Sequence, residues 1–240
     1  MGIHAPEQAC DLRRRPCSEG PRIEGSGTQA SATRPATSTS TSNRGFAGIA
    51  EVRTEQGKLH LFVAIDRTSK FAFCQLHDRA TLQVAADFLE ALIRAVPDKV
   101  HTVLTDHGLH FTTPGNTASA APLVREAMDR GEVLRAHPFE YACARNNTDH
   151  RLTKPRYPWT NGQVERMNRT LKEATVRRYH HESHGQLRRH LDDFINAYNF
   201  GRRLKTLRGL TPYETISAAW TKQPERFTLN PLHHTPGPNT

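Results

Sequence analysis

Read for its spacing of apolar and polar positions, the chain begins to show structure only near Phe46. Ile49–Arg53 reads as the end of a strand, and Glu55-Gln-Gly-Lys58 as a hairpin turn. Leu59–Ile65 reads as a buried strand, and Phe71–Leu76 as a third, which makes a β-meander. Thr81 then caps a helix whose apolar stripe runs through Leu82, Ala85, Phe88, Leu89, Leu92 and Ile93 and stops before Pro97. Val100–Leu104 is a short apolar run of the kind found in the middle of a sheet. Short helices are expected at Ala121–Arg130 and Phe139–Ala144, and a short strand at His150–Thr153. Pro155 and Pro158 stiffen the next loop, and Thr160 or Asn161 can cap the helix that follows. That helix has Val164, Met167, Leu171 and Ala174 on one face and Glu165, Asn168, Arg169 and Lys172 on another. Leu187–Tyr198 gives a last amphipathic helix, with Leu187, Leu191, Phe194, Ile195 and Tyr198 inward. The Pro-rich tail from Pro224 is expected to be loosely attached. Strands followed by alternating helices and strands describe an α/β mixed sheet with helices on both faces.

Composition changes this picture mainly at the ends. Only 36% of the 240 residues are hydrophobic, and Ala36–Ser42 is a low-complexity run with almost nothing to bury. Residues 1–44 are therefore expected to be disordered, 45–180 to form the core domain, and 181–240 to be a helical extension with a tail. No apolar run is long enough to cross a bilayer, and Met1–Pro16 lacks the apolar stretch of a signal peptide. The cysteines at 10, 17, 74 and 143 have no CxxC spacing, which fits a reducing cytoplasm. The 14 histidines lack a zinc-binding frame and read as scattered over the surface.

Charge is more telling. Arg145–Arg208 holds 15 Lys and Arg against 6 Asp and Glu, so this segment carries the whole net charge of +9. A one-sided basic field favours a polyanion, with nucleic acid the leading candidate. In the same segment Glu165 stands near a helix start, and Asp106 ends the central strand, where α/β sheets place their sites. Carboxylates converging on paired Mg²⁺ or Mn²⁺ ions are the arrangement for in-line attack on a phosphodiester.

These residues carry a resemblance. Val103-Leu-Thr-Asp-His-Gly-Leu-His-Phe111 resembles the T-D-N-G-x-x-F segment of integrase-core transposases. Trp159-Thr-Asn-Gly-Gln-Val-Glu-Arg-Met-Asn-Arg-Thr-Leu-Lys172 resembles their N-G-x-x-E-R-x-N-R-x-L-K helix, and Tyr198-Asn199 with Leu210-Thr-Pro-Tyr-Glu214 their closing motif. The family is the insertion-sequence branch of the Asp-Asp-Glu polynucleotidyl transferases, relatives of retroviral integrases. The element order is that of their ribonuclease-H-like fold. The resemblance implies a Mg²⁺- or Mn²⁺-dependent core for DNA cleavage and strand transfer, working as a homo-oligomer on transposon ends and target DNA. It implies a bacterial, cytoplasmic, nucleoid-associated protein. It makes Asp106 and Glu165 the second and third metal-binding carboxylates. Lys154, Arg156, Trp159, Asn161, Arg166, Asn168, Arg169 and Lys172 become the DNA-contacting set.

Two departures stand out. His107 replaces the usual Asn, and Gly48 occupies the position of the first Asp. Asp66 follows the second strand, where the family commonly has a non-catalytic turn Asp, and Glu51 is expected to point away from the site. Codons for Gly-Tyr-Phe-His-Ile-Asp-Ile, read one base late, can yield the Ala-Thr-Ser-Thr-Ser-Thr-Ser of positions 36–42. The first part of the chain is on that reading an out-of-frame translation, and this would explain why no helix-turn-helix precedes the core. The alternative to an active transposase is then an inactive DNA-binding remnant without its first catalytic Asp.

Overall fold

The computed structural model describes residues 44–153 and 162–232. Strands β1 (Arg44–Thr54), β2 (Gly57–Asp66) and β3 (Ala72–His77) form an antiparallel meander. Helix α1 (Leu82–Ala95) crosses over to β4 (Thr102–Thr105), which pairs parallel with β1, and β5 (Asp149–Leu152) pairs parallel with β4. The order across the sheet is β3-β2-β1-β4-β5. Helices α2 (Ala121–Asp129) and α3 (Pro138–Arg145) join β4 to β5, and α4 (Gly162–Ala174), α5 (His184–Asn196) and α6 (Pro212–Lys222) follow. The expected mixed sheet with helices on both faces is what forms.

Alternation along the strands assigns the faces. Leu59, Leu61, Val63 and Ile65 of β2 pack with Val164, Met167 and Leu171 of α4 and with Leu187, Leu191 and Ile195 of α5. Phe62 and Ala64 point the other way, into a layer with Phe88 and Leu89 of α1 and Phe139 of α3. Because both faces are covered, β2 reads as a near-continuous apolar run rather than an alternating one. Thr81 caps α1 by accepting the Val84 N–H at 3.2 Å, as its position in the sequence suggests.

Ile49–Arg53, read as the end of a strand, lies in the second half of β1; in the first half Gly45 and Gly48 weaken the local signal while pairing with β2 and β4 supplies it. The structure differs from expectation in two places. The stretch from Pro224 is attached at least to Leu232: Phe227 is buried, and the Thr228 and Leu229 amides both donate to the Pro97 carbonyl. Three histidines placed on the surface by composition, His137, His150 and His181, are buried. The low-complexity run and its reading-frame explanation lie outside the described residues, as does the loop 154–161.

The closing motif is structural. After α5 the chain makes a π-helical turn, Ala197–Gly201, that turns Asn199 into the core. Its side chain accepts from the Ala72 amide at 2.9 Å and donates to the Ala72 carbonyl at 2.7 Å, serving the edge strand β3 as a further strand would. Thr211 and Glu214 form a capping box that starts α6. Asn199→Ala leaves two buried backbone groups of Ala72 without partners and is expected to cost about 3 kcal/mol in chemical denaturation; a loss near zero would refute this account of the motif.

Candidate active site

The site is set by strand register. Phe46 of β1 lies opposite Leu104 of β4. Two further steps along both chains bring Gly48 level with Asp106. Phe46 and Leu104 belong to the layer under α4, so alternation directs Asp106 and any side chain at position 48 to the same face. A Cβ built on Gly48 meets the two Val164 methyls at 3.4 Å and approaches Asn168 Nδ2 at 4.0 Å. These are ordinary contacts, so position 48 admits a Cβ beside the first turn of α4. Glu165, next to Val164, stands exposed on that turn.

Asp106 is held by the backbone that follows it. The Gly108 amide donates to Asp106 Oδ1 at 2.9 Å. A Cβ at Gly108 would lie 2.9 Å from the same oxygen, so a larger residue there would shift the Asp106 carboxylate. His107 donates from Nε2 to the Thr153 carbonyl at 2.7 Å, tying the end of β4 to the end of β5. The substitution of Asn by His therefore leaves a polar link in place. Farther along the loop, His137 caps α3 through Nδ1 and donates from Nε2 to the Leu109 carbonyl at 3.1 Å.

The other carboxylates considered do not join this site. Asp66 closes the β2–β3 turn: Oδ2 accepts from the Ser69 amide at 2.5 Å and from its hydroxyl at 2.6 Å. It lies opposite Gly45, three residues from Gly48. Glu51 is on the opposite face of β1 from Gly48 and pairs with Lys58 at 2.6 Å and Arg53 at 3.2 Å. The hydrogen bond from Lys58, with further help from Arg53, holds its carboxyl below the usual range.

Of the expected DNA-contacting residues, Lys154, Arg156, Trp159 and Asn161 lie outside the described residues. The other four lie along α4: Arg166 and Arg169 are exposed, and Asn168 and Lys172 half-buried. Among the described residues none of these cations enters an ion pair, which leaves their charge for a partner. Asn168 Oδ1 is buried without a partner among the described residues and lies on the side chain that faces Gly48. Asp106 and Glu165 are hard oxygen donors of the kind that suit Mg²⁺ or Mn²⁺. Among the described residues, however, no three His, Cys, Asp or Glu side chains group closely enough to hold an ion. The donors present do not fit a complete two-metal centre.

Sequence reading missed the polar groups behind Asp106: Thr105, Glu140 and His150, all buried and hydrogen-bonded to one another. A Glu among apolar helix neighbours and a His in a short strand carry no motif.

No curated protein matches the chain significantly in sequence. Two integrase core domain family profiles do, over residues 47–158 and 146–212. Among solved structures, the catalytic core of BIV integrase is 21% identical, with a TM-score of 0.53 over 75% of this chain and 98% of that one. The HTLV-2 integrase catalytic core in complex with magnesium is 13% identical, with a TM-score of 0.51 over 72% of this chain and 95% of that one. In the simian T-cell lymphotropic virus intasome, bound to a PP2A regulatory subunit, the matched chain is 18% identical with a TM-score of 0.54. There the match covers 72% of this chain and 54% of that one. With the sheet order, the strand-end Asp106 and the α4 motif in agreement, residues 47–212 belong to the integrase core domain family.

Proposed function

We infer that this chain is the core of an insertion-sequence transposase, and that it binds DNA backbone through α4 with a catalytic centre short of its first carboxylate. The observation that carries the reading is Gly48. By extension of the β1–β4 register it lies level with Asp106, and a Cβ there would meet Val164 and Asn168 in ordinary contact. The family reaction, cleavage and strand transfer by metal-dependent transesterification, needs carboxylates that hold two ions on either side of the scissile phosphate. Asp106 and Glu165 supply two of them.

What the chain can do with its own residues is bind. Arg166, Arg169 and Lys172 recur at three-residue steps along α4, and none has an ion-pair partner among the described residues, so each can neutralise a phosphate. The retroviral relatives are described as dimeric and trimeric cores and as an intasome, and by that likeness we take the working form to be a homo-oligomer on paired DNA ends. No helix among the described residues is long and apolar enough to cross a membrane.

Replacing Arg166, Arg169 and Lys172 together by Ala is expected to weaken duplex binding across sequences. It should also make the slope of log K against log salt shallower by about 2–3, near one per lost phosphate contact. An unchanged slope would remove α4 from the interface. In strand-transfer assays with Mg²⁺ on terminal-repeat DNA, the chain itself is expected to be silent and Gly48→Asp to gain product. Robust transfer by the unmodified chain would overturn the incomplete-centre reading and restore the alternative, an active transposase.

A further inference from the structure

Behind the sheet end that carries Asp106 runs a buried polar chain. Thr105, on β4, is fully buried and faces away from α4, toward β5 and α3. Its Oγ1 lies 2.8 Å from His150 Nε2 and donates to the Asp106 carbonyl at 3.0 Å. His150 Nδ1 lies 2.9 Å from Glu140 Oε1, with both side chains at most 1% exposed. Glu140 Oε2 accepts from the Ser119 hydroxyl at 2.6 Å and from the Ala121 amide at 3.0 Å. The path therefore begins at Asp106 and ends at the start of α2, the other end of the loop that Asp106 opens.

Thr105 has one hydroxyl proton, and its Oγ1 stands between the Asp106 carbonyl and His150 Nε2. Glu140, accepting at both oxygens, takes the His150 Nδ1 proton on one side and the Ser119 hydroxyl and Ala121 amide on the other. Burial alone would raise the Glu140 carboxyl, but the His150 hydrogen bond and charge and the Ser119 hydroxyl bring it below its ordinary value. A buried polar chain is a poor source of net stability against an apolar replacement of the same shape. Its evident product here is a fixed place for the Thr105 hydroxyl.

We propose that Glu140, His150 and Thr105 are positioning residues for Asp106: the buried pair aims the Thr105 hydroxyl at the Asp106 carbonyl and holds both ends of the loop 106–120, so that the Asp106 carboxylate meets the Gly108 amide and faces α4. The inference rests on the reading of Asp106 as a functional carboxylate, yet its geometry can be tested without metal, DNA or turnover.

The Gly108 amide, bonded to Asp106 Oδ1, is the reporter. Its exchange is followed in the full chain labelled with ¹⁵N. Thr105→Val keeps the shape and removes the hydroxyl. Hydrogen exchange at Gly108 is expected to quicken about tenfold, with Val103 and Leu104 unchanged. Thr105→Ser keeps the hydroxyl and loses a methyl, and it should retain Gly108 protection within about twofold. Equal behaviour of the two variants, or no change in Thr105→Val, would reduce the chain to packing and overturn the proposal. Should Thr105→Val fail to fold, Thr105→Ala, which also removes the hydroxyl, takes its place beside the Ser variant. Failure of the α4 variants to alter DNA binding would sink the DNA reading while leaving these results intact.

Discussion

The parallel pairing of β1 with β4 is the constraint on which the rest depends. Only three residue pairs, from Arg44 with Thr102 to Phe46 with Leu104, set it. They fix which residue of β1 stands beside Asp106, and the alternation of strands fixes which face both use. A slip of one residue would bring Ile49 or Ala47 to that place and turn its side chain toward α1. With the register as it is, Gly48 occupies the one position on β1 that lies level with Asp106 and opens toward Val164 and Asn168. On the proposed reading, what the site lacks is the single side chain at position 48.

Around this centre the chain is held by polar groups that do no chemistry themselves. On one side, His107 and His137 pin the loop after Asp106 to the end of β5 and to α3. On the other, Asn199 closes the edge of the sheet at Ala72. Each of these three side chains has a specific backbone partner, which separates one loop conformation from many. Such a scaffold around Asp106 is what the reading of a binding-competent, catalytically incomplete core predicts.

Much of this was legible in the sequence because long-period signals survive. The stripe of Leu82, Ala85, Phe88 and Leu89 gave α1, that of Val164, Met167 and Leu171 gave α4, and the apolar run of β2 marked a strand covered on both faces. The T-D-x-G segment pointed to Asp106, and the structure adds that the Gly108 amide donates to its carboxylate. The start of β1 was hidden, since Arg44-Gly-Phe-Ala-Gly48 draws its extended form from neighbours distant in the chain. The Glu140–His150–Thr105 path was hidden for a related reason: its members are 10 to 45 residues apart and meet only once β4, β5 and α3 are assembled. The closing Tyr-Asn and Thr-Pro-x-Glu motifs were visible as resemblance, but their structural role depends on a π-turn that no periodicity marks.

The central claim is that one side chain separates this centre from a complete set of ligands. Calorimetric titration of Mn²⁺ into the chain and into Gly48→Asp, without DNA, tests it most directly. The third carboxylate adds both a ligand and a charge, so affinity should rise by at least about tenfold in Gly48→Asp over the unmodified chain. Equal affinity in the two proteins would contradict the account.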